Sequence, residues 1–137
     1  MKFGWRVVRR KVWRLVDAHT RLPRARKESA KYKNAKAVAR ALAHARLEHF
    51  NKHYGLTYAK VFIRNQKSRW GACSAKGNLG FNYRICYLPP ELSDYIIVHE
   101  LCHLGQFNHS PAFWALVAQT VPNHKELRKE LKTKYRF

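Results

Sequence analysis

One stretch restricts the fold more than any other. Between Pro89-Pro90 and Gly105, the run Tyr95-Ile-Ile-Val-His-Glu-Leu-Cys-His-Leu104 is apolar on every side of a helix except at His99, Glu100 and His103. Proline fits the first turn of a helix and fits a sheet interior badly, so the pair predicts where this helix begins. A helix apolar all round has to be buried in a core. Burying three ionisable groups within it is costly unless something compensates them.

A metal ion is the compensation that the spacing suggests. His99 and His103, at i and i+4, project from one face on successive turns, close enough to meet a single ion. Glu100 lies one residue on, about 100° around the helix, and reaches a metal-bound water rather than the metal; this is the general-base role in H-E-x-x-H. A structural zinc site is closed by four protein ligands, whereas a hydrolytic one has three and a place for water. His109 is the expected third ligand, since Gly105 and Asn108 can end the helix and turn the chain back. The resulting H-E-x-x-H-x-x-x-x-x-H has the histidine spacing of metzincins, with Gln106 where they carry glycine. The alternative third ligand is acidic, from Glu126 or Glu130. His19, His44, His49, His53 and His124 belong to no such constellation and read as ordinary surface or core residues.

The remaining elements surround that helix. Asn34 reads as the N-cap of a helix through Ala37, Val38, Ala41, Leu42, Ala45 and Phe50 to about Tyr54, with Gly55 ending it. Tyr58 to Ile63, Arg69 to Ser74 and Leu79 to Leu88 carry the β-branched and aromatic patterning of strands. The Gly-containing connection Ala75–Asn78 predicts that the last two pair antiparallel. Further helices are expected from Ser110 or Pro111 to Thr120 and from His124 to about Lys134. Helix, sheet, then helices implies an α+β domain over 35–137, with a small antiparallel-edged sheet packed on the histidine-bearing helix.

Residues 1–34 read as a separate basic segment. The chain has a formal net charge of +20, and nearly half of its Lys and Arg lie between Met1 and Lys36, opposed only by Asp17 and Glu28. Trp5, Val8, Val12, Leu15 and Val16 keep near-helical spacing between Arg6, Arg9, Arg10 and Arg14, which predicts a basic amphipathic helix. Neither a signal peptide nor an apolar run long enough for a membrane span is read, so the expected location is cytoplasmic. Cys73, Cys86 and Cys102 are odd in number and lack C-x-x-C spacing, so they are expected to be reduced and to pack as small hydrophobes.

Several segments taken together resemble the YgjP-like metallopeptidase family, relatives of the SprT-like and WLM minimal zincins. They are Ile63-Arg-Asn-Gln-Lys-Ser-Arg-Trp-Gly-Ala-Cys-Ser74, Gly77-Asn-Leu, Phe81-Asn-Tyr-Arg, Asp94 to His103, and Asn108-His-Ser-Pro-Ala-Phe-Trp114. The resemblance covers about residues 35–131. It implies a zincin-like fold, metal ligands at His99, His103 and His109, and a catalytic glutamate at Glu100. Family members usually have a longer, strand-rich region ahead of the shared helix, where this chain has the basic segment.

The leading expectation is therefore a zinc metallopeptidase acting on a peptide or protein, with substrate lying along the strand Phe81 to Ile85. Asn82, Tyr83 and Arg84 are candidate substrate contacts with equally good readings as ordinary strand residues, and the pair Arg69-Trp70 reads equally as a substrate contact or as a cation–π or packing pair. A second expectation keeps the site but hydrolyses a nucleoside triphosphate, which so basic a chain attracts; no Gly-rich phosphate loop supports it, and Mg²⁺ prefers carboxylates to imidazoles. A third makes the basic segment a nucleic-acid binder, alone or as the arm of a DNA-associated protease by analogy with SprT-like and WLM proteins.

Overall fold

The computed structural model describes residues 29–137, so the amphipathic helix expected near the N-terminus lies outside the described residues. Helix α1 spans Ala30–Tyr54. It starts five residues earlier than the sequence predicts, because the cap is Ser29, whose hydroxyl accepts from the Tyr32 amide at 3.2 Å. Its buried face also differs in phase. Ala35, Ala39, Ala43, Leu47 and Phe50 are buried, whereas Ala37, Val38, Ala41 and Ala45 are exposed and Leu42 is half-buried. Alanine suits either environment, so it could not fix the phase, and the seam of alanines lets α1 approach its neighbours closely. Gly55 ends the helix in the left-handed region at φ 62°, as its position predicts.

Three short strands follow: β1, Val61–Arg64; β2, Gly71–Cys73; and β3, Leu79–Asn82. They form one sheet in the order β1-β3-β2, with β1 parallel and β2 antiparallel to β3. The predicted hairpin is thus present, turning at Gly77 (φ 82°). Alternate residues Val61, Ile63, Leu79 and Phe81 are buried, and this face supplies the sheet's share of the core.

The strand predicted to reach Leu88 ends at Asn82 and passes into a 3-10 turn over Tyr83–Tyr87. Asn82 is the cause. Its fully buried side chain accepts from the Arg84 amide at 3.0 Å and donates to the carbonyls of Gln66 and Arg69, at 2.7 and 3.1 Å. These local bonds outcompete the ladder. In the order β1-β3-β2, β3 is the central strand, and β2 is the margin that packs against the next helix.

That helix, α2, spans Pro90–Cys102 and is buried along nearly its whole circumference. It packs against α1, β2, β3 and the two C-terminal helices. These are α3, Pro111–Ala118, capped by Ser110, and α4, His124–Lys134. A bidentate pair from Arg46 of α1 to Asp94 of α2, at 2.7 and 2.9 Å, fixes the two long helices together. The Tyr54 hydroxyl donates to the Leu116 carbonyl at 2.8 Å and ties the end of α1 to α3. Among the described residues, no helix is long and apolar enough to cross a membrane.

Candidate metal centre

The last turn of α2 carries His99, with His103 at its C-cap. Beyond it the chain turns back: the Gly105 and Gln106 amides both donate to the Cys102 carbonyl. The segment then runs to Ser110, whose hydroxyl accepts from the Phe113 amide and starts α3. This reversal presents His109 to the helix face that carries the other two histidines. The three Nε2 atoms stand 3.1 Å apart for His99–His103 and 3.2 Å for each pair with His109. Among the described residues, these three form the one group of His, Cys and acidic side chains whose ligand atoms converge closely enough for a shared ion. Glu126 and Glu130, the alternative ligands, do not join it; Glu130 pairs instead with Lys134 at 3.6 Å.

The cluster is held from behind. His103, only 1 % exposed, stacks on Phe113 with ring centroids 4.4 Å apart and planes 17° from parallel. Its Nδ1 lies 3.1 Å from the Gln106 carbonyl. A carbonyl only accepts, so Nδ1 carries the proton and the Nε2 lone pair faces the cluster. His99 has the Tyr95 hydroxyl 3.5 Å from its Nδ1, a weaker contact in which either group can donate. Burial depresses the basicity of all three rings; for His99 the pKa falls to about 3, helped by the neighbouring imidazoles. Neutral imidazoles are the form in which histidine ligates metals.

Glu100 is 5 % exposed and Oε2 makes no hydrogen bond within the fold. Burial pushes its pKa up to about 8, and the nearby Arg69 charge opposes the rise. The carboxylate lies against Gly71 of β2, where a Cβ would stand 2.9 Å from Oε1. Strand and helix can approach so closely only because residue 71 lacks a side chain.

The other sequence candidates divide. Asn82 is consumed by the bonds that end β3. Tyr83 packs edge-on against Tyr32 with centroids 4.9 Å apart, and Arg84 lies over the Phe137 and Tyr83 rings. Trp70 packs against Phe137, and Arg69 is the charge beside Glu100. His124, which the sequence leaves as an ordinary residue, is buried and stacks on Trp114, with centroids 5.1 Å and planes 17° apart. Trp114 in turn stacks on His109 at 5.9 Å, and the Arg128 guanidinium lies 5.2 Å from its ring centre. The i, i+4 spacing of His124 and Arg128 on a predicted helix was the available signal, but it names no partner until Trp114 is brought beside them.

An α+β fold with a buried helix presenting converging imidazoles defines a class of metal-centred hydrolases, and comparison with solved structures agrees. The crystal structure of the metallopeptidase zymogen of Pyrococcus abyssi abylysin superposes with a TM-score of 0.60 at 29% sequence identity, covering 69% of this chain and 98% of that one. The chain belongs to the YgjP-like family: the model of its metallopeptidase domain matches residues 5–134. The match therefore takes in most of the basic segment, beyond the 35–131 read from the motifs. No curated protein matches the chain.

Proposed function

We propose that the chain is a zinc-dependent peptidase in which His99, His103 and His109 hold the ion and Glu100 is the general base. The observation that carries this reading is the convergence of three Nε2 atoms at 3.1–3.2 Å. Nitrogens bound to one tetrahedral zinc at about 2.0–2.1 Å stand roughly 3.3 Å apart, so donor type and spacing both suit the ion. Three protein ligands leave a coordination position for water, the pattern of catalytic sites. An all-imidazole donor set favours zinc over Mg²⁺, and with it the peptidase over the phosphohydrolase.

When bound, zinc supplies a Lewis acid that acidifies water and polarises a carbonyl oxygen. The proton is moved by Glu100, whose unpartnered Oε2 accepts it from water and later returns it to the leaving amine. Burial raises the basicity of Glu100, and the charge of a bound ion would offset that rise. The Nδ1 bond to the Gln106 carbonyl keeps the His103 lone pair aimed at the ion. β2 pairs with β3 alone among the described strands and runs beside α2, so its open side would seat an extended peptide next to Glu100. This replaces the strand Phe81 to Ile85 as the substrate-binding edge.

Elemental analysis together with cleavage of quenched-fluorescent peptides, in the wild type and Glu100→Gln, tests the reading. About one zinc per chain is expected in both proteins, with cleavage lower by roughly 10²- to 10⁴-fold in the variant. A zinc-loaded wild type that cleaves no peptide overturns it.

A further inference from the structure

Next to the histidine cluster lies an open cavity of about 550 Å³, walled by Trp114, Ala115, Ala118, His124, Lys125 and Arg128. Its floor is apolar and its charged walls are both cationic, with no acidic residue among those lining it. The cavity and the cluster share a wall. Trp114 stacks on His109 and meets His99 edge-on at 5.8 Å, while on the cavity side it carries Arg128 and the His124 ring. His124 is 8 % exposed, and its Nδ1 finds no hydrogen-bond partner among the described residues; a fold ordinarily satisfies such a group. A tryptophan, a guanidinium and an ammonium are thus gathered around an open space.

We propose that this cavity is a substrate subsite for a carboxylate-bearing residue flanking the scissile bond, its apolar stem lying on Trp114 and its carboxylate pairing with Arg128 and Lys125. The proposal rests on the peptidase reading and adds to it a preference for acidic peptides. The guanidinium held over the Trp114 ring offers a planar fork, which suits a carboxylate better than a lysine alone. The carboxylate can come from an internal Glu or Asp side chain or from the free C-terminus of the peptide. Both present the same anion, and they differ in whether the enzyme cleaves within a chain or near its end.

The test uses the zinc-loaded full chain and sets of peptides identical except at one position. Glu is exchanged for Gln at successive positions on each side of the scissile bond, and each peptide is made with a free and with an amidated C-terminus. Wild type and Arg128→Gln are compared by kcat/KM, with zinc content and Tm measured on both proteins. A Glu-over-Gln or acid-over-amide ratio of roughly tenfold or more in the wild type, falling toward unity in Arg128→Gln, is the expected result. The Glu arm identifies a side-chain subsite and the amide arm a C-terminal one. Cleavage without either discrimination, or a ratio that survives Arg128→Gln, overturns the subsite and leaves the peptidase reading standing. Absence of cleavage from every peptide by the zinc-loaded wild type overturns both.

Discussion

Glu100 occupies the space that a side chain at residue 71 would need: a Cβ on Gly71 would stand 2.7 Å from Glu100 Cγ and 2.9 Å from Oε1. No real Cβ contact is that short, and Glu100 is confined by a buried helix, so Gly71→Ala has to push the carboxylate away from its place. We expect kcat/KM to fall by about 10²-fold, as displacements near 1 Å do in active sites, at a stability cost of about 1–3 kcal/mol from overpacking. Zinc content should stay near that of the wild type, because the histidines are untouched. Gly80→Ala is the control, since the nearest atoms to a Cβ there lie at 3.9–4.0 Å. Equal activity in Gly71→Ala and the wild type would mean that Glu100 does not need this seat.

Zinc binding should appear as thermal stabilisation that depends on His109. His109 is exposed on a short connecting segment, so His109→Ala should leave the metal-free fold and its Tm close to wild type. The ion binds the folded cluster far better than the unfolded chain and contributes about 2.7 kcal/mol when present at a hundredfold excess over its Kd. A clear rise in wild-type Tm on adding zinc, reversed by chelator and absent from His109→Ala, is the expected pattern by scanning calorimetry. His103→Ala should behave differently. It removes a buried ring stacked on Phe113 and should lower Tm without metal as well. An undiminished zinc response in His109→Ala would remove it from the ligand set.

The pair Arg46–Asp94 should matter to stability rather than to chemistry. Its two short hydrogen bonds join α1 to α2 a full turn ahead of His99, and the side chains are about a third and a quarter exposed. Solvent screens the pair, so the bidentate geometry supports only about 1 kcal/mol. Asp94→Asn and Arg46→Met should each lower Tm by several degrees in a domain of this size, with kcat/KM within about twofold of wild type. The loss should shrink at high salt, which separates it from a packing defect.

What the sequence made legible follows from how each feature is encoded. The histidine triad could be read because its chemistry is local: i, i+4 geometry fixes His99 and His103, and a single short reversal brings in His109. Gly55, the hairpin and helices α3 and α4 were equally readable, since a cap, a turn and proline breaks are short-range signals. The phase of α1 was not, because a helix rich in alanine has several faces that suit burial. The end of β3 was hidden for another reason. The alternation of Phe81, Tyr83 and Ile85 continues past Asn82, and only the tertiary contacts of that side chain, to Gln66 and Arg69, decide that the strand stops. Gly71 and Trp114 carry roles that come from what faces them across the fold, and no spacing rule announces those.

The thiols offer a last check, with a direction set by burial. Cys73, Cys86 and Cys102 are all free, as their number and spacing predict, although only Cys102 is fully buried. Desolvation disfavours the thiolate and pushes the Cys73 and Cys102 pKa values up to about 11, with the Glu100 charge adding to the rise at Cys73; Cys86 is raised by burial too. The thiolate is the nucleophile, and at pH 8 a thiol with a pKa of 11 is ionised to only about one part in a thousand, against roughly a quarter for a free cysteine. Alkylation of the folded protein at pH 8 should therefore be slow at all three sites. It should quicken about tenfold per pH unit up to pH 11 at Cys73, and urea should bring all three to the rate of an unfolded chain. Cys102, 0 % exposed, should react last, at a rate limited by opening of the helix core and not by its ionisation. Mass spectrometry of iodoacetamide-treated protein over a pH series reads this directly, and rapid native labelling at Cys102 would show that α2 opens far more readily than its packing against α1, α3 and the sheet allows.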